Sequence, residues 1–435
     1  MAILNRANPQ IKKIMVQTIS RYEKYKPSGI DWIGEVPEHW EVKRLKDVAN
    51  VTLGKMLQND DSGADDLKPY LRSFNVQWDR VDIAEVKEMW LSEYEQEQYR
   101  LKKYDLVVSE GGEVGRCAVW LDEIEECYIQ NSVHKVTCNK RILPYFLLFQ
   151  FTTAGKAGHF DKIINKVSIG HLTREKLVAV NFVLPPKTEQ LAIANYLDGQ
   201  TQKIDRLIAN KKAQAEKLKE LRQIEINHAV TKGLNPNAEL KDSGIEWLGK
   251  IPKHWEVKRL KDISSLQSGE SITSEDFADD GEYPVYGGNG LRGYFGSYTH
   301  EGNYVLIGRQ GALCGNINYA SGKFWASEHA VVVSPKKKLD FFWLGELLRN
   351  MNLNQYSLAS AQPGLSVEKI LFLKVPFPPF EEQTEIASYL QQRTTAIDQL
   401  TKNIEAQIEK LQELRKIKIY EAVTGKIKVS GYERN

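Results

Sequence analysis

The sequence predicts a mixed α/β (α+β) protein: two small globular domains joined by two long helices that pack as an antiparallel coiled coil, with the halves related by an internal pseudo-twofold. Three observations carry this prediction. Residues 28–47, SGIDWIGEVPEHWEVKRLKD, recur at 243–262 as SGIEWLGKIPKHWEVKRLKD, with fifteen of twenty positions identical. Each half then reaches a double proline, Pro185-Pro186 or Pro378-Pro379, followed by about 35 residues of heptad apolar spacing. Between these shared segments lie two dissimilar inserts, about 48–180 and 263–373.

The repeat is taken first because it organises everything else. LTREKLVAVNFVLPPKTEQLAIANYL (172–197) matches LSVEKILFLKVPFPPFEEQTEIASYL (365–390), and LRQIEINHAVTKG (221–233) matches LRKIKIYEAVTGK (414–426), both at an offset of 193. The offset at the opening match is 215, so the first insert is the longer by about 22 residues. A common frame around private inserts suits two linked modules with different targets, and drift of an old duplication leaves the same trace. The divisions expected are an N-terminal helical segment (1–27), a first domain (28–183), a first long helix with linker (184–232), a second domain (243–376), a second long helix (377–426) and a tail (427–435).

Within the inserts, KYDLVVSE (103–110), RCAVWLD (116–122), YVLIGR (304–309) and EHAVVVSP (328–335) read as strands, and 144–155 and 340–351 as helices. The stretch around EVKEMWLSEYEQEQYR reads as polar helix. GGEVGRCAVW and GRQGALCGNINY place Cys117 and Cys314 in similar surroundings, with glycines for tight turns. In the long helices the apolar seam comprises Leu197, Ile204 and Leu218, with Lys211 between, and a second series of Leu207 and Leu221 around Gln214. The repeat gives Leu390, Ile397, Ile404 and Leu411, with Leu400 and Leu414 around Gln407. Such a helix needs a partner for its stripe, either the other long helix or another protein; Lys211, Gln214 and Gln407 are the polar positions placed to fix register. A seam of this length is a rod of about 50 Å.

At 435 residues the chain has room for two or three domains, and 42% hydrophobic with 27% charged residues is an ordinary folded composition. A net charge of +2 means that any DNA-binding surface must come from local clustering. The four cysteines lack disulfide or metal-ligand spacing, no apolar run approaches membrane length, and the opening lacks a secretory signal, so the expected address is the cytoplasm. No phosphate-binding glycine fingerprint occurs. Asp79, Glu85 and Lys87 mimic a nuclease cluster only loosely, and Asn235-Pro236 lacks the aromatic partner that a flipped adenine would stack on. His39 and His254 stand in the repeated frame with no nucleophile beside them. No catalytic, metal or cofactor residue is therefore assigned.

Reading DNA requires Arg, Lys, Asn or Gln on positioned loops. The first insert offers Arg72, Asn75, Gln77, Arg80, Arg116, Lys156, His159, Lys162 and Lys166. The second offers Tyr286, Asn289, Arg292, Tyr294, Arg309, Gln310, Gln355 and Gln362.

Taken together, the GIxWxGxxPxHWEVKRLKD repeat, the LPP and FPP entries into the helices, YPVYGGNG, GRQGALCG, EHAVVV and QPGLSVEKI resemble the specificity subunit of type I restriction-modification systems, over essentially the whole chain. The resemblance implies two target recognition domains, each reading one half of a split double-stranded DNA target, with the coiled coil setting the gap. It implies no catalysis and no cofactor on this chain. Its partners would be two methyltransferase subunits using S-adenosylmethionine and restriction/translocase subunits using ATP and Mg2+, with no membrane. The first insert has KPYLRSFNV in place of a YGGNG opening. Trp40, Lys43, Arg44 and Trp255, Lys258, Arg259 are the expected methyltransferase-facing residues, the tryptophans fitting equally a staple between insert and helix. The rival functions are a coiled-coil scaffold that reads no DNA and a self-sufficient DNA-modifying enzyme.

Overall fold

The structure is a computed structural model that describes residues 20–430 apart from 62, 64, 165–169, 274–277, 312 and 358–363. It divides into two compact units: one reaches Ala209 and takes in the chain again from Ile408, and the other is Asn210–Gln407. Most of the segment expected as an N-terminal helix lies outside the described residues, and its described end, Tyr25–Pro27, is a strand paired with Glu35–Pro37.

In the first unit the frame strand Glu41–Arg44 pairs with Asn181–Leu184, which leads into the first long helix. The insert between them is built on a four-stranded sheet in the order Cys117–Val119, Leu106–Ser109, Val133–Cys138, Ala49–Leu53. Leu106–Ser109 and Cys117–Val119 are buried along their whole length, and the helix Pro144–Lys156 packs on Cys117–Val119, while Ala49–Leu53 at the sheet edge alternates buried and exposed residues. The second unit repeats the plan. Glu256–Arg259 pairs with Lys374–Phe377, and the insert sheet runs Ile317–Ala326, His300–Gly308, Ala330–Pro335, Ser264–Ser268. The helix Phe341–Asn350 lies where Pro144–Lys156 lies in the first unit, packed on the corresponding strands.

The inserts are thus one topology carrying two sequences. Each has a short parallel pair, Tyr70-Leu71 beside Tyr128-Ile129 and Val285-Tyr286 beside Trp325-Ala326. In the second, the hairpin Tyr283–Gly287/Gly290–Phe295 extends the main sheet to six strands. In the first, Asp66–Leu71 forms a separate sheet with Lys87–Leu91. Lys87–Leu91 therefore corrects the helical reading of EVKEMW: Met89 and Leu91 alternate into a core, and helix begins only at Glu93, capped by Ser92. Gly54 and Gly269 mark a shared close approach. A Cβ there would lie 2.4 Å from the Gln130 carbonyl oxygen and 2.0 Å from that of Ala326.

The long helices are Lys187–Lys232 and Phe380–Val423, the first about 69 Å long. In the first unit Ile193, Tyr196 and Leu197 share a core with Ile419, Ala422 and Val423. In the second, Ile226, Ala229 and Val230 share one with Ile386, Ala387 and Leu390. Each unit packs the start of one helix against the end of the other, so the pair is antiparallel. Leu197, Ile204, Leu390 and Ile397 are buried in the seam, and Leu218, Ile404 and Leu411 are half-buried along it. Leu207, Leu221, Leu400 and Leu414 are exposed and lie outside it. Their places are taken one residue later in the heptad by Thr201, Ile208, Ala215 and Arg222, and by Thr394, Thr401, Ile408 and Arg415. Gln214 and Gln407 are exposed as well. Polar cross-helix contacts include Arg415 Nε to Asp205 Oδ1 at 3.0 Å in the first unit, and in the second Arg222 Nε to Asp398 Oδ1 at 3.0 Å with Glu225 accepting from the Tyr389 hydroxyl at 2.6 Å and from Arg393 at 3.0 Å.

Candidate nucleic-acid interface

The strand register places two sets of loops in correspondence. The Glu110 amide donates to Ser132 and its carbonyl accepts from Leu172; the Arg309 amide donates to His329 and its carbonyl accepts from Leu365. Gly115 and Gly315, both at positive φ, each donate back to the strand end, at Ser109 and Gly308. Equivalent backbone therefore carries a carboxylate in one insert and a guanidinium in the other. The same register makes Cys117 equivalent to Ile317, so Cys117 and Cys314 are not counterparts. KPYLRSFNV is the structural counterpart of YPVYGGNG, since Leu71 and Tyr286 hold the same place in the parallel pair.

In the second insert the turn at Gly288-Asn289, the loop at Gln310-Gly311 and His329 line an open cleft of about 600 Å³ that also includes Arg292, Leu291 and Leu313. Asn289 Oδ1 accepts from Asn316 Nδ2 at 3.3 Å, and Arg309 Nη1 donates to Ser268 Oγ at 3.1 Å. Tyr286 and Tyr294 lie half-buried on the hairpin, Tyr286 edge-on to Phe324. Gln355 is exposed, its side-chain amide donating to the Met351 carbonyl at 2.8 Å, and it is not among the residues lining the cleft. Gln362 lies outside the described residues.

In the first insert Arg116 donates to Gln77 Oε1 at 3.3 Å and to the Ser73 carbonyl at 3.0 Å. Arg72 pairs with Glu85 at 2.6 Å and lies 5.0 Å over the Phe74 ring. Arg80 is exposed on the adjoining hairpin. Asn75 corrects its expectation: it is fully buried, its amide donating to the carbonyls of Asp82 and Glu85 and its oxygen accepting from the Arg72 amide, so it shapes the turn and presents nothing to a ligand. Lys156 sits elsewhere, lining a hollow with Glu413, Lys416 and Tyr420 of the second long helix; burial, then Arg415, lowers its pKa. His159 lies beside Trp32 and Gly29 of the frame, its pKa lowered by burial and then by Lys162. Lys162 is exposed next to it, and Lys166 lies outside the described residues. Burial raises the Glu110 pKa, against the pull of His171.

Among the described residues no group of three or more His, Cys, Asp or Glu is placed to hold a metal ion, and no helix is long and apolar enough to cross a membrane. The family model described as type I restriction modification DNA specificity domain matches residues 37–217 and 252–410. The chain belongs to that family. It is 43% identical over 148 residues to the EcoprrI specificity subunit of Escherichia coli, a match spanning 33% of this chain and 37% of that subunit. It is 24% identical over 430 residues to the MjaVIII specificity subunit of Methanocaldococcus jannaschii, covering 91% of this chain and 94% of that one. A solved chain from work on complex assembly and conformational transition of the type I R-M system has the same fold, with a TM-score of 0.70 at 16% identity over 89% of this chain and 98% of its own.

As a specificity subunit the chain keeps its two frame tryptophans inside. Trp40 and Trp255 are fully buried, which settles the two sequence readings for the staple: neither ring is open to a partner. The Trp40 indole donates to Glu189 at 3.0 Å and that of Trp255 to Glu382 at 2.9 Å, with His39 and His254 at 2.6 and 2.8 Å from the same carboxylates. Each glutamate opens a long helix, and the helix-ending glycines Gly425 and Gly233 close on the rings. Lys43 and Lys258 pair with Glu41 and Glu256, Arg259 with Asp262, and Arg44 is exposed. The sequence reading passed over Phe74, Leu291 and Leu313, which stand exposed beside the polar candidates; an apolar residue set among polar or glycine loop residues was the available signal.

Proposed function

We propose that the two inserts are target recognition domains, each reading one half of a split, asymmetric double-stranded DNA sequence. The supporting observation is the pairing of equivalent strand register with different side chains: Glu110 answers Arg309, and Arg72 answers Gly287. A scaffold without readout has no need of one loop geometry carrying two chemistries. An Arg in the groove favours guanine O6 and N7, and a carboxylate favours an exocyclic amine, so the half-sites differ. Asn289, Arg292, Arg309 and Gln310 are the second insert's reading group; Gln77, Arg80, Glu110 and Arg116 with Phe74 are the first's.

The helix pair sets the gap between half-sites and docks two methyltransferase subunits. Exposed Leu207, Leu414 and Ile417 in the first unit, and Leu221, Ile224 and Leu400 in the second, supply the apolar part of that contact, with Arg44 and Arg259 at the frame. Catalysis, with S-adenosylmethionine, ATP and Mg2+, belongs to the methyltransferase and restriction/translocase partners. The test is a genome-wide adenine-methylation map after co-expression with the neighbouring methyltransferase. Exchange of residues 48–180 changes one half-site only, and helical insertions made in step in both long helices change the gap. Methylation indifferent to both changes, with the complex intact, returns the chain to the scaffold reading.

A further inference from the structure

The hairpin Val76-Gln77/Arg80-Val81 turns through Trp78 and Asp79, and Asp79 sits at φ +65°, a left-handed conformation that aspartate adopts more readily than most residues. Its carboxylate has two partners outside the hairpin. Oδ1 accepts from the Thr152 hydroxyl at 2.8 Å, and Oδ2 accepts from Arg415 Nη2 at 3.1 Å. The same guanidinium donates through Nε to Asp205 at 3.0 Å. One side chain from the second half of the sequence thus joins the first insert to both long helices. The Arg415 and Asp79 side chains are 18% and 24% exposed, so the contact is largely shielded from water. A planar guanidinium with two carboxylate partners fixes direction as well as distance.

The hairpin transmits that direction. Trp78 Nε1 donates to Glu113 at 2.6 Å, holding the 110–116 loop, and its ring lies on Gly155, where a Cβ would come within 2.2 Å. Gln77 accepts from Arg116. We propose that Arg415 is a positioning residue for the DNA-reading surface of the first insert, a claim that rests on the half-site reading above. The second unit repeats the helix-to-helix part, Arg222 with Asp398, but holds its insert differently: Gln223 and Asn227 bind Asn350.

The test uses the complex with the methyltransferase and duplexes carrying single-base changes in each half-site. The first half-site is the one that moves when residues 48–180 are exchanged. Arg415→Met and Asp79→Asn each lower discrimination at the first half-site by about tenfold, the loss of one shielded charge-assisted contact. Discrimination at the second half-site stays as in the wild type, and the double variant loses no more than the worse single one. Arg222→Met leaves the first half-site unaffected. Unchanged discrimination, or an equal loss at both half-sites as a general folding defect produces, overturns the proposal. If the insert exchange itself moves no half-site, the reading function fails; if it does while Arg415→Met has no effect, only the positioning role fails.

Discussion

Replacing Glu189 by alanine tests the staple that joins the first frame to its helix. The carboxylate accepts from the Tyr22 hydroxyl at 2.6 Å and the Trp40 indole at 3.0 Å, and His39 lies at 2.6 Å. His39 is exposed and finds water in the variant, whereas the Trp40 N–H is buried and Tyr22 half-buried. Each stranded donor costs about 1–3 kcal/mol, and the half-exposed tyrosine belongs at the low end, so Glu189→Ala loses about 2–4 kcal/mol. Glu382 holds one buried donor, Trp255, and the exposed His254, so Glu382→Ala loses about 1 kcal/mol less. Urea unfolding followed by circular dichroism, with hydrogen exchange of the Trp40 indole, measures both. Burial raises the Glu189 pKa, but the bonds from Tyr22, Trp40 and His39 outweigh it and hold the carboxyl below the usual range. A depressed carboxylate contributes stability above its unfolded pKa of about 4.3, lost as pH falls through the folded value. Glu189→Gln therefore flattens the acid limb. A loss below about 0.5 kcal/mol for Glu189→Ala, or a larger one for Glu382→Ala, refutes the reasoning.

Gly269→Ala and Gly54→Ala force a Cβ against a backbone carbonyl at 2.0 and 2.4 Å, and each lowers stability by about 1–3 kcal/mol in thermal or urea unfolding. Ile204→Ala opens the helix seam and costs about 2–5 kcal/mol, while Leu207→Ala, on an exposed leucine, stays within about 0.5 kcal/mol. Burial pushes the Cys127 and Cys138 thiols up to about 12 and raises Cys117 as well. All three react slowly with iodoacetamide at neutral pH in the native protein and at ordinary rates in urea, as mass spectrometry of the labelled chain will record.

The frame was legible in the sequence because its duplication is nearly literal, and the double prolines announced where each long helix starts. The second half of the heptad was misread for a physical reason. Its true members, Thr201, Ala215 and Arg222 with their repeats Thr394, Ile408 and Arg415, are mostly small or charged, and the more apolar Leu207 and Leu221 lie one residue away on the open face. The common topology of the inserts was hidden because strand register constrains hydrophobicity, which many sequences satisfy, while the loops that catch the eye are where the two differ. Asn75 shows the limit for single residues: an asparagine that completes a turn and one that faces a ligand are the same letter. The tryptophans were undecidable by sequence since a buried indole with a carboxylate acceptor needs a partner about 150 residues away, Glu189 for Trp40.

The division of the chain also orders its folding in time. The second unit is a continuous stretch, Asn210–Gln407, whose core is complete once those residues exist. The first unit is not: Ile419, Ala422, Val423, Ile427 and Val429 belong to its core, and the Lys428 amide bonds the Ser20 carbonyl at 2.7 Å. On the ribosome the insert synthesised first therefore waits for residues made after Gln407, while the later insert closes its core before them. Premature termination or proteolytic loss after Gln407 falls on the unit whose insert lies farthest from it in sequence.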